Sequence, residues 1–248
     1  MKRFRCTISA IIFFCSFLIH GCTSDVRNYS TKNPVQLYNT ALEKKDSNPS
    51  VALENITEIE MYYPISPEAE KARLLKIYIL YQEGRFDESI DAKDDFQIRY
   101  PTSEYIAYSY YMSGINYYTQ IVDIGRDQYI TYKAKEELES VARNFPNTDY
   151  GLDALRKVRY CEHILAAKEM EIGRFYEKKG DYLSASNRYK KILEGKYDSS
   201  LMQEAMYRMA VSWYGMGIPH VANVYYLAAK KSYPDSVWIS RIYQILFQ

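Results

Sequence analysis

Small and bulky residues alternate along this chain with the spacing of paired antiparallel helices. The clearest stretch, residues 172–192, carries them at these positions: Ile172, Gly173, Tyr176, Gly180, Tyr182, Ala185, Tyr189 and Ile192. Gly173 lies where a neighbouring helix must approach closely, and Gly180 with Asp181 breaks the first helix. In the second helix, Ala185, Tyr189 and Ile192 share one face. Because one such hairpin cannot bury its own apolar face, the pattern predicts similar neighbours.

The same pattern recurs in register along the chain. The small residue of each predicted second helix recurs at intervals of 37, 45, 51 and 37 residues, at Ala52, Ser89, Ala134, Ala185 and Ala222. A proline preceded by Tyr or Phe follows four of the five, at Pro64, Pro101, Pro146 and Pro234. These spacings match the tetratricopeptide repeat, whose usual period is about 34 residues. The sequence therefore predicts an all-α superhelix of about five helical hairpins.

Interruptions in the pattern divide the array. No proline occurs from residue 148 to residue 179, which predicts either one long helix or two helices with a hidden turn. We favour one helix, capped by Asn147 with Asp149 and ended by Gly180. We expect an N-terminal half at 35–146, with repeats 1–3, and a C-terminal half at 147–248, with repeats 4 and 5. The third repeat carries an insertion near 121–130, which is either a contact loop or a solvated connection. The last segment, 235–247, predicts a capping helix that buries Val237 and Ile242.

The first residues have the composition of a targeting signal. A basic head precedes an apolar run of 12 residues, from Ile8 to Ile19, which is shorter than the roughly 20 residues needed to span a bilayer. Gly21 directly before Cys22 resembles the bacterial lipobox, in which the cysteine becomes the acylated first residue. We therefore predict a lipoprotein signal peptide at 1–21, lipidation of Cys22 and a polar tether at 22–34. A plain cleaved signal or an uncleaved anchor stays the alternative.

Charge and cysteine content narrow the possible functions. The full chain has a formal net charge of +1, and removal of three basic residues with the signal leaves the mature chain near neutral. The chain therefore has no strong excess of positive charge, which argues against nucleic acid as a partner. With Cys22 acylated, Cys161 has no partner for a disulfide and is expected to be a small buried residue.

The sequence offers no catalytic constellation. His163 and His220 are far apart in the repeats and lack the spacing of a zinc site or a nucleophilic triad. The glycines mark helix crossings and turns, so they do not form a phosphate-binding loop. We expect neither enzyme activity nor a cofactor nor a metal site. The 27 tyrosines suit the half-wet surfaces of a thin helical array, and only clusters on a concave face indicate binding.

The lipobox and the repeats together resemble the BamD family, the tetratricopeptide lipoproteins of the bacterial outer-membrane β-barrel assembly complex. The resemblance covers nearly the whole mature chain. The matching positions include Tyr63, Pro64, Ile65, Ser66, Pro67, Ala69, Tyr111, Met112, Gly114, Gly125, Arg126, Asp127, Asn147, Thr148, Tyr150, Asp153, Ala154, Leu165, Ala166, Glu169, Tyr176, Gly180 and Arg188. The first repeat departs from the family pattern at Ser47, Asn48 and Glu68.

The resemblance implies a non-catalytic adaptor anchored in the outer membrane and facing the periplasm. Its C-terminal repeats would bind the periplasmic domains of BamA, with Arg188 at the start of a second helix matching a family arginine. Its N-terminal repeats would receive the C-terminal segment of unfolded outer-membrane β-barrel proteins. Other Bam lipoproteins would complete the complex.

For the substrate groove, the candidate residues are Tyr38, Tyr63, Pro67 and Tyr78, although each could simply pack between repeats. Arg188 could likewise be an ordinary surface arginine. The alternative function is that of another periplasmic tetratricopeptide lipoprotein, which scaffolds cell-division or peptidoglycan enzymes.

Overall fold

The structure, a computed structural model, describes residues 32–195 and 199–247. These residues form eleven helices and no strand, which confirms the all-α prediction. The helices are α1 (Pro34–Lys44), α2 (Pro49–Tyr62), α3 (Pro67–Gln82), α4 (Phe86–Arg99), α5 (Ile106–Thr119), α6 (Tyr129–Asn144), α7 (Asp149–Lys178), α8 (Tyr182–Glu194), α9 (Ser199–Gly215), α10 (Pro219–Ser232) and α11 (Val237–Phe247). The predicted signal peptide, Cys22 and most of the tether lie outside the described residues.

Consecutive helices pack against each other as antiparallel hairpins, because their connections are short. The first helices of successive hairpins, α1, α3, α5, α7 and α9, also contact one another. Within the described ranges, the second helices do not contact each other across hairpins. The first helices therefore line the inner, concave side of the array.

The repeat register read from the sequence is confirmed. All five small residues of the second helices are fully buried, from Ala52 in α2 to Ala222 in α10. At Gly173 in α7, an added Cβ would lie 2.3 Å from Cε1 of Tyr189 in α8. Only a glycine allows this crossing, as the sequence predicted. Gly180 ends the hairpin turn with φ of +76°, a left-handed conformation that glycine adopts without strain.

Helix α7 is one continuous helix of 30 residues, as expected. Its first half contributes Ala154 and Val158 to a core with α6, and its second half contributes Met170 to a core with α8 and α9. The two predicted halves of the chain thus share α7. Their boundary at 146 and 147 stays a prediction.

Two local predictions are wrong. Thr148, rather than Asn147 with Asp149, caps α7, since its hydroxyl accepts a hydrogen bond from the Gly151 amide at 3.1 Å. The sequence pattern did not separate three adjacent residues that can all cap a helix. In the capping helix α11, Ile242 is fully buried but Val237 is 68% exposed, because it begins the helix ahead of the contacting face.

Cys161 lies fully buried in α7 and forms no disulfide. Burial raises the pKa of its thiol to about 11, so the reactive thiolate is scarce at neutral pH. This agrees with the expected role of Cys161 as a small packed residue.

Candidate functional site

The concave side of the first three hairpins contains an aromatic groove of about 440 Å³. Helices α1, α3 and α5 supply its walls. The groove is lined by Tyr38, Lys45, Lys71, Leu74, Leu75, Tyr78, Tyr105 and Tyr108. We call this set of residues the aromatic groove. It combines four phenol rings and two leucines with two ammonium groups.

Burial and charge define the chemistry of the aromatic groove. Desolvation raises the pKa of Tyr38 and, more strongly, that of Tyr108, so both stay neutral donors at any physiological pH. The Lys45 ammonium lies 5.7 Å from the ring centre of Tyr78 and also bonds Asp46. The surface therefore offers apolar contact, hydroxyl donors and positive charge, and no nucleophile or acid–base pair.

The structure brings two of the four predicted groove residues together. Tyr38 and Tyr78 both line the aromatic groove. Tyr63 packs against the core of the first hairpin, as Tyr38 and Tyr78 also do, but it does not line the groove, and its hydroxyl donates to the Lys32 carbonyl at 3.1 Å. Pro67 is the exposed first residue of α3. An amide at this position would have no acceptor within the helix, so the missing N–H of proline costs no hydrogen bond.

Sequence reasoning missed other members of the aromatic groove, although a signal was present. Lys71, Leu74, Leu75 and Tyr78 follow the i, i+3, i+4, i+7 spacing of one helix face. Such a stripe is also what a buried helix face looks like, so the pattern alone does not indicate a binding surface.

An aromatic cluster continues from the groove towards α7. Tyr150 in α7 stacks at 5.6 Å from Tyr108 and 5.2 Å from Tyr111, measured between ring centres. The Tyr111 hydroxyl donates to Asp153 at 2.5 Å. Burial and that hydrogen bond raise the pKa of Tyr111. These contacts fix the long helix against the third hairpin and extend the aromatic surface along the concave side.

Arg188 is engaged within the chain. It lies in the middle of α8 rather than at its start, and its Nη1 donates to Glu169 of α7 at 3.1 Å. Lys191 contacts the same carboxylate at 3.0 Å. One third of the Arg188 side chain stays exposed. The guanidinium is thus held in place by Glu169 and still reaches the surface.

The concave side of the C-terminal half is closed by a charged network. Arg174 of α7 makes a bidentate contact with Glu204 of α9, with Nη2–Oε distances of 2.5 and 2.6 Å. Arg208 of α9 donates to Glu204 at 2.6 Å and to Glu177 of α7 at 2.8 Å. Tyr189 of α8 donates to Glu177 at 2.8 Å. We call these five residues the ion-pair network.

The charges of the ion-pair network hold each other ionised. Burial alone would raise the pKa of Glu204, but hydrogen bonds from Arg174 and Arg208 outweigh it and lower the pKa below its ordinary value. Burial alone would lower the pKa of Arg208. The interactions with Glu204 and Glu177 outweigh this effect, so the pKa of Arg208 is raised above its ordinary value. Burial and the bond to Glu177 raise the pKa of Tyr189. The arrangement is that of a stabilising network, since every group has a partner.

A second cavity, of about 600 Å³, lies between α2, α3 and α4 on the outer side. Basic and acidic side chains both line it, including Arg73, Lys76, Glu60 and Asp95. Arg73 is buried, and its Nε lies 3.5 Å from Glu60 and 3.4 Å from Asp95. The charges compensate each other, so the cavity does not select a ligand of one sign.

Residues 32–195 and 199–247 lack both a metal-binding cluster and a membrane-spanning helix. No three His, Cys, Asp or Glu side chains are grouped so that they could hold a metal ion. In the same ranges, none of the helices has the length and apolarity needed to cross a bilayer.

Comparison with known proteins identifies the family. A family model described as outer membrane lipoprotein, YfiO, matches residues 30–227, from just before α1 into α10. The chain belongs to this family. Relatives of this YfiO chain carry the name outer membrane protein assembly factor BamD, which confirms the resemblance noted in the sequence.

Two of these relatives match the chain described here over nearly its whole length. The protein of Rickettsia prowazekii is 30% identical over 241 residues, which cover 96% of each chain. That of Caulobacter vibrioides is 31% identical over 245 residues, or 97% of this chain and 80% of the relative. The protein of Neisseria meningitidis is more distant, with 22% identity over 212 residues. The YfiO match therefore includes both the aromatic groove and the ion-pair network.

Proposed function

We propose that this protein is a non-catalytic adaptor lipoprotein of the outer-membrane β-barrel assembly complex. The observation that carries the proposal is the near full-length similarity to proteins named assembly factor BamD. The geometry supports it, because the concave side of the first three hairpins offers an open aromatic surface that can accept a peptide segment. Cys22 carries the acyl anchor in this proposal, with the repeats on the periplasmic side of the outer membrane.

The proposal assigns two kinds of protein partner. The C-terminal half binds the periplasmic domains of BamA, and other Bam lipoproteins complete the complex. The N-terminal half receives unfolded β-barrel proteins through their C-terminal segments. An amphipathic segment of a nascent strand presents apolar side chains on one face, and the aromatic groove provides a matching apolar wall.

Purification of the intact envelope complex tests the assignment as a whole. We expect a tagged full chain to copurify BamA in mild detergent. Copurification of cell-wall hydrolases or synthases without BamA would contradict the proposal and support the alternative function, that of a scaffold for division or peptidoglycan enzymes.

Arg188 is the residue proposed to contact BamA, since a guanidinium makes directional bonds to a carboxylate across an interface. We expect Arg188→Glu to reduce BamA copurification while leaving helix content unchanged. The matched control is Glu169→Gln, which removes the charge of the internal pair at 3.1 Å but keeps both the guanidinium and an acceptor oxygen for it. An equal loss in both variants would mean that Arg188 acts only by packing α8 on α7.

Tyr38 and Tyr78 are the proposed substrate contacts of the aromatic groove. Photo-crosslinkers at these positions should capture a peptide that ends in the C-terminal strand of an outer-membrane β-barrel. The matched control is Tyr132 on α6, which is 56% exposed and lies outside the groove. Tyr63 and Pro67 serve as the second comparison, because they belong to the same hairpins but are not among the residues that line the groove. Equal capture at all five positions would contradict a specific groove.

A further inference from the structure

The connection from α2 to α3 forms an uncharged, strongly exposed protrusion. Residues 61–67 read Met-Tyr-Tyr-Pro-Ile-Ser-Pro and contain no ionisable acid or base of the Asp, Glu, Lys or Arg type. Ile65 is 95% exposed and Met61 is 65% exposed. Neither side chain contributes to the core of the first hairpin. Exposed large apolar groups of this kind, in one uncharged run, indicate a contact surface.

Side chains of both signs flank this protrusion: Glu54, Glu58 and Arg85 line one groove with Met61, and Arg99 follows Ile98. Glu60, the acid that precedes it, is mostly buried and pairs with Lys76 at 2.9 Å and with Arg73 at 3.5 Å. Ile98, near the end of α4, is 79% exposed. Because α2 and α4 are both second helices of consecutive hairpins, their C-terminal ends lie at the same edge of the array. We call the edge that carries Met61, Ile65 and Ile98 the apolar edge.

The chain leading to the proposed anchor leaves the fold at this edge. The Tyr63 hydroxyl donates to the Lys32 carbonyl at 3.1 Å, which fixes Lys32 beside residues 61–67. Lys32 follows Cys22 by only ten positions. Ten residues span at most about 35 Å, so Lys32, which Tyr63 contacts directly, lies within about that distance of Cys22. The opposite edge is one helix length farther along, or about 20 Å for the 14 residues of α2.

We propose that the apolar edge inserts into the phospholipid surface of the leaflet that holds the acyl chains of Cys22. The inference rests on the proposed lipid anchor and adds a second contact with the bilayer, made by Ile65 and Met61. Since residues 61–67 carry no charge, apolar insertion rather than attraction to anionic headgroups drives the contact. Binding through this edge is therefore insensitive to salt, and it orients the first hairpin relative to the membrane.

The first experiment measures depth in the bilayer. The lipidated full-length mature chain, with Cys161→Ala to remove the native thiol, carries a fluorescent probe on Ile65→Cys and is reconstituted in phosphatidylethanolamine–phosphatidylglycerol vesicles. Brominated acyl chains should quench this probe. The control position is Leu183→Cys, which is 62% exposed at the start of α8 on the opposite edge, and its probe should keep its fluorescence. Equal fluorescence at both positions in vesicle-bound protein would overturn the proposal.

The second experiment separates the edge from the anchor. In the mature chain with Cys22→Ser, we expect vesicle partitioning that is the same at low and high salt. Ile65→Ser should weaken it about tenfold, the factor for withholding one isoleucine side chain from an apolar phase. Leu183→Ser should leave it unchanged. Partitioning that disappears at high salt, or that does not respond to Ile65→Ser, would overturn the proposal.

Two readouts keep this inference distinct from the proposed function. The mass of the mature N-terminus reports whether Cys22 is acylated, and an unmodified Cys22 would overturn the anchored insertion proposed here. BamA copurification reports the adaptor role, and it should persist in Ile65→Ser. A quenched Ile65 probe in a chain that does not bind BamA would support the membrane contact and contradict the adaptor role.

Discussion

The two halves of the molecule use the same position in the repeat for opposite purposes. Where successive first helices meet on the concave side, the N-terminal half leaves the aromatic groove open. At the equivalent contact between α7 and α9, the C-terminal half places the ion-pair network, in which Arg174, Glu204 and Arg208 satisfy each other. The first surface can accept a ligand, whereas the second is already occupied by its own side chains.

The difference shows how one repeat architecture separates binding from rigidity. The first hairpin is held by an aliphatic core that includes Leu37, Ile56 and Ile59, and Tyr38 and Tyr78 of the aromatic groove pack against this core while staying partly exposed. The fourth and fifth hairpins add charged contacts to the core around Tyr189 and Met170. A partner of the C-terminal half must therefore bind outside the ion-pair network, which is consistent with the proposal that Arg188 on α8 meets BamA.

The largest expected effect comes from a cavity in the aliphatic core of the first hairpin. Ile56 is fully buried, so Ile56→Ala should lower the free energy of unfolding by about 3 kcal/mol. Because the lost contacts are apolar, the decrease should be the same at low and high salt. Urea denaturation measures it, with the 95% exposed Ile65→Ala as the control that leaves stability unchanged. A strong salt dependence of the Ile56 effect would contradict the contrast between the halves.

A somewhat smaller loss is expected from the ion-pair network. Arg208→Met keeps the aliphatic stem and leaves Glu204 with only Arg174, and Glu177 with only Tyr189. We expect about 2 kcal/mol, below the range for a fully buried pair, because Arg208 is 18% exposed and Glu204 keeps Arg174 as a partner. Hydrogen exchange should increase in α7, α8 and α9 and stay unchanged in α1 to α3. Arg85→Met, in an exposed pair with Glu88, is the control and should have no measurable effect.

Acid should weaken the C-terminal half through Glu204. Its pKa in the folded chain lies below the ordinary value of 4.5, so the folded state favours the ionised form. The resulting stabilisation is complete above about pH 4.5 and is lost as the pH falls through the lower folded pKa. Glu204→Gln should reduce the decrease in the free energy of unfolding between pH 4.5 and pH 3. Denaturation at a series of pH values from 7 to 3 measures this decrease. An unchanged slope would show that the carboxylate gains nothing from its two arginines.

The smallest expected effect concerns the long helix that both halves share. Thr148→Ala removes the side-chain acceptor of the Gly151 amide and should cost about 1 kcal/mol. Thr148→Ser keeps the hydroxyl and should retain most of the stability. If Asn147→Ala instead had the larger effect, the cap would lie where the sequence first suggested and not where the structure has it.

Much of the fold followed from the sequence, because short-range spacing encodes it. The buried positions Ala52, Ala134, Ala185 and Ala222 and the crossing at Gly173 were all predicted from periodicity. The single helix α7 was predicted from the lack of a proline over 32 residues. The cap at Thr148 was not, since neighbouring Asn, Thr and Asp residues have nearly equal capping propensity.

The candidate sites were only partly predictable, because they depend on which helices meet in space. Of the four candidates, Tyr38 and Tyr78 line the aromatic groove, whereas Tyr63 is not among the lining residues and bonds the Lys32 carbonyl. The link from Arg174 to Glu204 joins residues 30 positions apart, and no local pattern indicates it.

The sequence by itself determined the repeat and its register, since both depend on residue type and spacing along one helix pair. Only the tertiary structure decided that the concave side is open in one half and bridged by ions in the other. The reason is geometric: small and bulky residues specify how a helix packs on its sequence neighbour, while the contact between successive first helices joins side chains that the sequence separates by a whole repeat.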